Sequence, residues 1–343
     1  MIANAFSMVD LFVQGSASVL VLWAGTASFS LARACERVHG PEQRAEIERG
    51  ANLPLLIAVV ALGVKLLSWP LFYGMLQSFI PEIEGAMCIF GVTQVLPNLT
   101  RLIEIMKPAV FFMIGGWLTL HVLDRRTATG ALLARKLLFL GIVCFVVFVE
   151  SVAEIILILS ISPGLPVSCC TTITDLLERP TRIVPESIMG PGYARIIGYV
   201  QVVGTLALTG AMAVMGKMSV VRPEMKTRRL LLGILFTAAV VNLGIFILAQ
   251  IEDQAPTIMN LPFHHCIYCL WQYVPDTPLM YLLMAIGTFA VGWAFLADLV
   301  GRSPETLTIL PDLTRKLSYV SVFSLASALL MNVVHLAIAR GGI

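Results

Sequence analysis

Charged side chains are scarce in this 343-residue chain: Asp, Glu, Lys and Arg make up 13% of it, and hydrophobic residues make up 58%. So little charge excludes a soluble domain of ordinary composition. A net charge of +2 provides no basic surface for nucleic acid, so we expect no such partner. A basic n-region is missing and the first apolar segment is too long for a signal peptide, so we expect a retained helix. The composition predicts a polytopic membrane protein in contact with lipid.

Histidine is also rare, with five residues in the chain. His121 and His335 lie at opposite ends of their apolar segments, and His39 lies in a connection. No two of them share a level in the membrane, which argues against a haem with two histidine ligands. Cys266 and Cys269 form a Cys-x-x-Cys that lacks the following histidine of c-type haem attachment. We therefore predict no haem.

Eight apolar segments are long enough to cross a hydrocarbon core of roughly 30 Å at about 1.5 Å per helical residue. We predict an all-α polytopic membrane protein with about eight transmembrane helices. The third helix is short and could begin earlier, near Ile103. The segments lie near residues 11–34, 52–77, 108–123, 137–160, 195–217, 230–251, 278–297 and 317–339.

Lys and Arg are concentrated in alternate connections. One set of connections holds sixteen of them: Arg33, Arg37, Arg44, Arg49, Arg125, Arg126, Arg135, Lys136, Lys217, Arg222, Lys226, Arg228, Arg229, Arg302, Arg315 and Lys316. The opposite set holds Arg101, Lys107, Arg179, Arg182, Arg195 and Arg340, and the connection 252–277 has none. By the positive-inside rule the first set is cytoplasmic. Both termini then face outward, into the periplasm if the membrane is the bacterial inner membrane that we expect.

The predicted sidedness assigns each cysteine to a position relative to the membrane. Cys35 lies at the cytoplasmic end of the first segment, and Cys144 lies inside the fourth. Thiols on the periplasmic side of a bacterial inner membrane can be oxidised. Five of the seven cysteines fall in outward-facing connections: Cys88, Cys169, Cys170, Cys266 and Cys269.

The sequence also indicates a tandem duplication. Residues 88–97 align without gaps on residues 266–275, sharing Cys, Ile, an aromatic residue, Gln and Pro at one spacing. The same offset of 178 residues (266 minus 88) carries predicted helices one to four onto helices five to eight. Four helices per half is an even number, so the halves would have one orientation and an axis along the membrane normal. We expect a first four-helix half at 1–160, an outward-facing Pro- and Gly-rich linker at 161–194, and a second four-helix half at 195–343.

The densest group of reactive side chains is the run from His264 to Cys269. Cys266 and Cys269 are about one helical turn apart, close enough for a disulfide or a shared metal. Thiolate is the reactive form, and the charge of a protonated His264 or His265 would favour it. Thr277-Pro278 predicts the start of the seventh helix, so the motif lies on a short interfacial piece. A redox-active dithiol, a metal site and a structural disulfide all remain open.

The outward-facing Cys-x-Tyr-Cys ahead of a membrane helix, with further cysteines in another outer loop, resembles the membrane thiol oxidoreductases of the vitamin K epoxide reductase and DsbB type. That group implies a four-helix bundle that passes electrons between a quinone, the Cys-x-x-Cys and a pair of loop cysteines, which exchange with a soluble thioredoxin-like partner. Cys266 and Cys269 would match the quinone-proximal pair. Cys169 and Cys170 would stand in for the loop pair. The chain departs from the group in its eight segments, its adjacent loop cysteines, the prolines before the helix and the lack of a fused thioredoxin-like domain.

The other outward-facing thiols have several possible roles. Gly91 stands where the second motif has Cys269, so Cys88 could pair with Cys169, Cys170 or a thiol of another protein, or be inert. The adjacent linker cysteines could form a vicinal disulfide, bind a soft metal such as Cu(I), or point apart and pair elsewhere.

Polar residues within the predicted membrane segments are few. Lys65 lies near the middle of the second segment, and Glu150 and Glu154 lie one turn apart on the fourth. Ionised groups at this depth cost on the order of 3 kcal/mol, so they should face the bundle interior and pair. They predict either a proton path towards a quinone or cation site, or a structural ion pair. The second half would keep uncharged polar groups: Asn242, Asn332 (the counterpart of Glu154) and His335.

We therefore expect a membrane thiol–disulfide redox protein at the periplasmic face, quinone-linked or a subunit of a larger redox complex, with a thioredoxin-like or other redox partner. The reactive residues would be Cys266 and Cys269 with His264 or His265, and the relay thiols would be Cys88, Cys169 and Cys170. One alternative is a transporter or binding protein for copper or another soft metal, ligated by the same two histidines and Cys266 and Cys269. Another is a non-catalytic membrane anchor with structural disulfides.

Overall fold

A computed structural model describes residues 3–37, 41–127, 129–162, 164, 166–168, 174–221 and 227–341. These residues form helices, turns and loops, and contain no β-strand. The predicted all-α class is confirmed. In chain order the helices are α1 (Ala5–Arg37), α2 (Pro41–Phe79), α3 (Ile89–Thr93), α4 (Pro97–Asp124), α5 (Leu133–Ser160), α6 (Pro180–Met189), α7 (Tyr193–Val221), α8 (Arg228–Ala249), α9 (Ala255–Ile258), α10 (Ile267–Tyr273), α11 (Thr277–Val300) and α12 (Leu310–Gly341).

Eight of these helices are long and apolar enough to cross a membrane: α1, α2, α4, α5, α7, α8, α11 and α12. Each predicted segment lies within one of these spans, so the polytopic architecture is confirmed. Large apolar side chains on their outer faces are exposed, for example Phe12, Leu67 and Phe323. Such faces contact lipid in a membrane, where the helix satisfies its own backbone hydrogen bonds. The chain is an integral membrane protein.

The third membrane helix is longer than its predicted segment near 108–123: it begins earlier, as the alternative start near Ile103 anticipated, and by several residues more. α4 begins at Pro97 and contains Pro108 in its interior. Pro97 lies in the first turn, where a missing backbone N–H costs nothing. Lys107, which the sequence places in an outward-facing connection, is instead inside the helix and 3% exposed. The charges and the proline near position 107 made a helical turn look like a connection.

The sixth membrane helix also continues past its predicted end at residue 251. A π-helical turn spans Gln250–Gln254, and α9 follows it directly. Glu252 is therefore on a buried helical turn and not in the connection 252–277, where the sequence had placed it. π-helical turns within α-helices are frequent at functional sites.

The chain divides into two compact units. The first comprises Met1–Val167 and Leu296–Leu310, and the second comprises Ser168–Phe295 and Pro311–Ile343. Four membrane helices, α1, α2, α4 and α5, lie in the first unit. α7, α8, most of α11 and most of α12 lie in the second.

In the first unit α1 packs against α2 and α5, and α4 packs against α5. The buried core between them includes Val21, Leu62 and Trp117. α1 and α5 approach closely at Gly25, where a Cβ atom would lie 2.8 Å from the Cβ of Cys144. Small residues at such positions allow membrane helices to pack backbone against backbone.

One end of the first unit carries the start of α1 and the ends of α2 and α5. Asn4 Nδ2 donates to Ser78 Oγ at 2.9 Å, which joins the start of α1 to the end of α2. The backbone N–H of Val167 donates to the carbonyl of Glu84 at 3.1 Å, which joins the segment after α5 to the loop after α2. That loop, between α2 and α4, also contains α3 and Cys88.

The second unit has its own core. Met212 of α7, Phe246 of α8, Met284 of α11 and Leu325 of α12 are buried against one another. A smaller cluster joins α9, α10 and α12, with Leu270 fully buried. The short helices α9 and α10 are thereby fixed at one end of this unit, and they position the Cys-x-x-Cys.

Candidate functional site

The two motif cysteines lie on the first turn of α10. Cys266 is the residue that caps the helix, and Cys269 lies three residues later. Their Sγ atoms are within 4.8 Å of each other, and both are thiols. The seventh membrane helix starts at Thr277, so this part of the sequence prediction is confirmed. The motif consequently lies on a separate short helix before α11.

The two thiols differ in exposure. Cys266 is 1% exposed, whereas Cys269 is partly exposed and packs against the apolar cluster of α9 and α10. A disulfide requires its sulfurs about 2.05 Å apart. The pair can reach that distance through side-chain rotation, since both residues lie on one helical turn.

Beside the motif, Arg179 and Glu252 form a buried ion pair. Arg179 donates from Nε to Glu252 Oε1 at 2.9 Å and from Nη2 to Oε2 at 2.7 Å. The hydroxyl of Tyr193 donates to the same Oε2 at 2.6 Å. Two parallel N–H donors give this pairing a fixed geometry. We call Arg179, Tyr193, Glu252 and His265 the arginine clamp, because His265 is also bound to it.

His265 is held through both ring nitrogens. Arg179 Nη2 lies 2.9 Å from His265 Nε2, and the carbonyl of Ile251 lies 2.9 Å from Nδ1. Arginine can only donate, so Nε2 accepts a hydrogen bond and Nδ1 carries the proton. Burial, together with the charge of Arg179, lowers the pKa of His265, against the opposing influence of the Ile251 carbonyl and Glu252. His265 is therefore a neutral structural imidazole in this arrangement.

His264 has a different environment. Its Nδ1 donates to the carboxylate of Asp175, with distances of 2.9 Å and 3.1 Å to the two oxygens. Thr174 donates its hydroxyl to Asp175 Oδ1 at 2.9 Å. A carboxylate on one ring nitrogen fixes the orientation of an imidazole, as in many catalytic and metal sites. Asp175 lies 89 positions from His264, so no local sequence pattern links the two residues.

The predicted relay thiols are only partly described. Cys88 caps α3 in the first unit and is fully buried. Cys169 and Cys170 lie outside the described residues. The linker between the predicted halves is interrupted by a ten-residue helix, α6, in its described part.

The intramembrane charges of the first unit form one buried group. Glu150 lies between two lysines, 2.5 Å from Lys65 Nζ and 2.8 Å from Lys107 Nζ. Glu154 Oε2 lies 2.5 Å from Lys107 and 3.8 Å from Lys65. Ser151 Oγ accepts from Lys65 at 2.8 Å. The predicted pairing of Lys65 with Glu150 thus includes a second lysine that sequence analysis had placed in a connection.

Two residues of α1 extend this group. Lys65 Nζ donates to Gln14 Oε1, and Gln14 Nε2 donates to Asp10 Oδ1 at 2.9 Å. Asp10, Lys65, Lys107, Glu150 and Glu154 are the five members of what we call the acid–lysine cluster. Asp10 and Gln14 were missed by the sequence analysis, although their four-residue spacing on an apolar helix is a signal for one polar face.

The second unit has a corresponding network of neutral groups. Gln201 Oε1 accepts from Asn332 Nδ2 and Gln254 Nε2, each at 3.1 Å. Gln250 donates to Gln254 and to Asn332, and in the latter bond the distance is 3.3 Å. Thr205 Oγ1 joins Asn242 to this network, because it accepts from Asn242 Nδ2 at 3.1 Å and from Gln201 Nε2 at 3.2 Å. These side chains are nearly completely buried, and hydrogen bonding among them offsets the loss of water.

His335 lies near the end of α12, with Nε2 3.2 Å from Asp276 Oδ2. Asp276 is 54% exposed at its side chain, so this contact is close to the surface. His335 is thus set apart from the amide network of Asn332.

Fold and sites together define an all-α integral membrane protein with a dithiol at one end of its second unit and a buried ionic cluster in its first. Comparison with models of protein families, with characterised proteins and with solved structures gives no match to this chain. The chemistry of these side chains is therefore what indicates a function.

Proposed function

We propose that this protein is a membrane thiol–disulfide redox protein whose reactive pair is Cys266 and Cys269. The observation that supports this most directly is the separation of the two sulfurs, at most 4.8 Å, on one turn of a short helix. A cycling pair must close and reopen a disulfide without moving its backbone far, and this spacing meets that requirement. The motif lies outside the eight membrane spans, where a soluble partner has access.

The two cysteines have different roles in the proposed cycle. Cys269, the more exposed thiol, attacks a partner disulfide as thiolate and forms a mixed disulfide, releasing one partner thiol. Cys266 then attacks Cys269 Sγ, which forms the internal disulfide and releases the second partner thiol. In the reverse direction, two thiols of a reduced partner open the Cys266–Cys269 disulfide by the same exchange and leave as the partner's disulfide. The regenerated thiols of Cys266 and Cys269 then lose two electrons and two protons to a quinone, the acceptor that the resemblance implies, and the quinone becomes a quinol.

His264 is the acid–base group in this proposal. His265 is committed to the arginine clamp through both ring nitrogens. His264 adjoins His265 in the chain and is oriented by Asp175. It would accept the proton of the attacking thiol and return it to the leaving thiol.

The remaining parts of the proposal follow from the sequence. Cys88, Cys169 and Cys170 would relay disulfide exchange towards a thioredoxin-like partner. The distribution of Lys and Arg favours a periplasmic location for the motif and for both termini, in a bacterial inner membrane. Two tandem four-helix halves would place equivalent loops on the same side of the membrane.

A soft-metal site is the second candidate. Two thiolates within 4.8 Å can ligate one ion, and a carboxylate-oriented histidine such as His264 is a common third ligand. Cu(I) and Zn²⁺ both accept such donors. The two candidates differ in what the thiols do under oxidation.

A trapping experiment tests the redox proposal. Cys266→Ser removes the resolving thiol, so a partner disulfide attacked by Cys269 should remain covalently attached. Incubation of the full-length variant in detergent with an oxidised thioredoxin-like protein should give a mixed disulfide that dithiothreitol dissolves. Cys269→Ser should give much less of it, because Cys266 is buried, and Cys144→Ser is the matched control that should behave as wild type.

Metal analysis of the same preparations provides the other arm. If the wild type purifies with about one copper or zinc per chain, loses it in both motif variants and forms no mixed disulfide, the metal candidate replaces the redox proposal. If neither trapping nor metal binding occurs, both candidates are wrong and the cysteines serve only the structure.

A further inference from the structure

The acid–lysine cluster contains one acid more than it has bases. Asp10, Glu150 and Glu154 contribute carboxyl groups, and Lys65 and Lys107 contribute ammonium groups. Each of the five residues is at most 3% exposed. With all five ionised, the interior of the unit would carry one uncompensated negative charge. Such a charge is strongly unfavourable away from water.

The contacts within the cluster assign the uncompensated negative charge to two carboxyl oxygens. Both oxygens of Glu150 face a lysine, and Glu154 Oε2 faces Lys107. Asp10 Oδ1 accepts from Gln14. Asp10 Oδ2 and Glu154 Oε1 are buried and receive no hydrogen bond from any described residue. The two oxygens of Glu150 also receive no hydrogen bond from the described residues, but each faces a lysine, so Asp10 Oδ2 and Glu154 Oε1 are the acceptors that have neither.

The two carboxyl groups concerned are neighbours. The carboxyl group of Asp10 on α1 lies within hydrogen-bonding range of the carboxyl group of Glu154 on α5. An ionised carboxylate only accepts, so two of them cannot bond to each other. One proton between them turns the contact into a strong hydrogen bond and balances the charge of the cluster.

We propose that Asp10 and Glu154 form a proton-binding site inside the membrane that holds one proton at neutral pH. The site requires the whole cluster, because the two lysines neutralise the other two negative charges. It does not depend on the thiol chemistry proposed above. Its ligand is a proton that the two carboxyl groups share.

A proton fits this site better than a metal cation. Metal ions that prefer oxygen need several converging ligands, whereas only two carboxylate oxygens among the described residues of the cluster have neither a lysine nor a hydrogen-bond donor beside them. The positive charges of the Lys65 and Lys107 ammonium groups would also repel a metal cation. Tyr73 of α2 and Glu104 of α4 are titratable side chains of the same two helices, and they interact with each other.

The position of the pair allows exchange with one side of the membrane. Asp10 is five residues after the start of α1 at Ala5, and Glu154 is six residues before the end of α5 at Ser160. This corresponds to roughly 8–9 Å of helix. Both helix ends belong to the end of the unit that carries the loop of Cys88. A cavity with room for about one water molecule borders Lys65, Lys107 and Glu150 within the same cluster.

Infrared spectroscopy of the full-length protein tests this site. A protonated carboxylic acid has a C=O stretch that a carboxylate lacks, and the band shifts in D₂O. In sodium-free buffer at neutral pH the wild type should show this band. Glu154→Gln and Asp10→Asn should each lose it, because the two remaining acids then match the two lysines. Glu104→Gln, on α4 but outside the cluster, is the control that should retain it.

The wild type alone provides a second readout if a variant does not fold. Unfolding at neutral pH should release about one proton from the pair, because a solvated carboxyl has a pKa of about 4. The inference is overturned if the wild type has no such band and releases no proton. It is also overturned if the band persists in both variants. A band that disappears on addition of Na⁺ would assign the site to a metal cation instead.

Discussion

Lys107 is the residue whose replacement tests the ionic cluster most sharply. Its Nζ lies 2.8 Å from Glu150 and 2.5 Å from Glu154, and the residue is 3% exposed. Lys107→Met keeps the length of the side chain and removes its charge. Glu150 retains Lys65 at 2.5 Å, so the loss falls mainly on Glu154. We expect the free energy of unfolding to fall by about 3–5 kcal/mol, as for other buried ion pairs that lose one partner.

Two further variants separate this effect from a general loss of packing. Adding Glu154→Gln to Lys107→Met should recover about 1–3 kcal/mol, because the carboxylate without a partner is removed as well. Lys316→Met is the matched surface control: Lys316 is 53% exposed and lies 3.0 Å from Asp312. Exposed pairs of this kind contribute less than about 1 kcal/mol.

Unfolding by sodium dodecyl sulfate titration in mixed micelles would measure these differences. Helix content followed by circular dichroism gives the midpoint and the free energy for each variant. Equal effects at Lys107 and Lys316, or strictly additive effects in the double variant, would refute the description of the cluster as a coupled ionic group.

Three further changes have defined outcomes. Arg179→Lys keeps the positive charge of the arginine clamp but loses the two parallel N–H donors to Glu252. It should lower the free energy of unfolding by about 1–3 kcal/mol. Arg182→Lys on the surface is the control and should have no measurable effect. Burial lowers the pKa of His265 in the folded protein, so the unfolded state binds a proton more readily than the folded state does. The stabilisation should therefore be fully present above about pH 6.5 and should decrease as the pH falls below it. In unfolding curves measured at several pH values, His265→Gln should flatten this dependence. Gly25→Ala places a Cβ 2.8 Å from a side chain of α5, so it should lower the free energy of unfolding by about 1–3 kcal/mol in the same assay. Gly15→Ala, where a Cβ would meet open space, should stabilise α1 or leave it unchanged. The reverse order of the two effects would contradict the close packing of α1 and α5.

The membrane spans could be predicted from the sequence because a single local property, hydropathy over about 20 residues, determines them. The start of α11 was also predictable, since Thr277-Pro278 is a local helix-start signal. The start of α4 was not. Arg101, Lys107 and Pro108 each resemble features of a connection, and the pairing of Lys107 with acids of α5, which offsets the burial of its charge, is a contact that the local sequence does not contain.

The environment of the thiol motif depends on contacts that local patterns do not contain. Arg179 is 73 positions from Glu252 and 86 positions from His265. The sequence indicated that His264 and His265 were candidates of equal standing. The structure distinguishes them, because it binds His265 to a guanidinium and a backbone carbonyl and His264 to a carboxylate.

The buried acids illustrate the same limit. Glu150 and Glu154 were predictable as interior residues because an ionised side chain within an apolar span must find a partner. Asp10 was not recognised, since it lies near the start of its helix, where a polar residue could equally face water. Its spacing from Gln14 marks a polar face of α1, but the burial of that face follows from the packing of α5 against α1, which the sequence of α1 alone does not contain.

Alkylation of sealed membrane vesicles at defined redox poise measures whether Cys266 and Cys269 form a reactive dithiol on the outer side. An impermeant maleimide added from the outer side should label Cys266 and Cys269 after reduction with dithiothreitol, with Cys269 reacting first. After oxidation by a soluble quinone, neither should be labelled, and the peptide that contains them should be lighter by two hydrogens in mass spectrometry. Equal labelling in both states, or labelling only from the cytoplasmic side, would contradict the account.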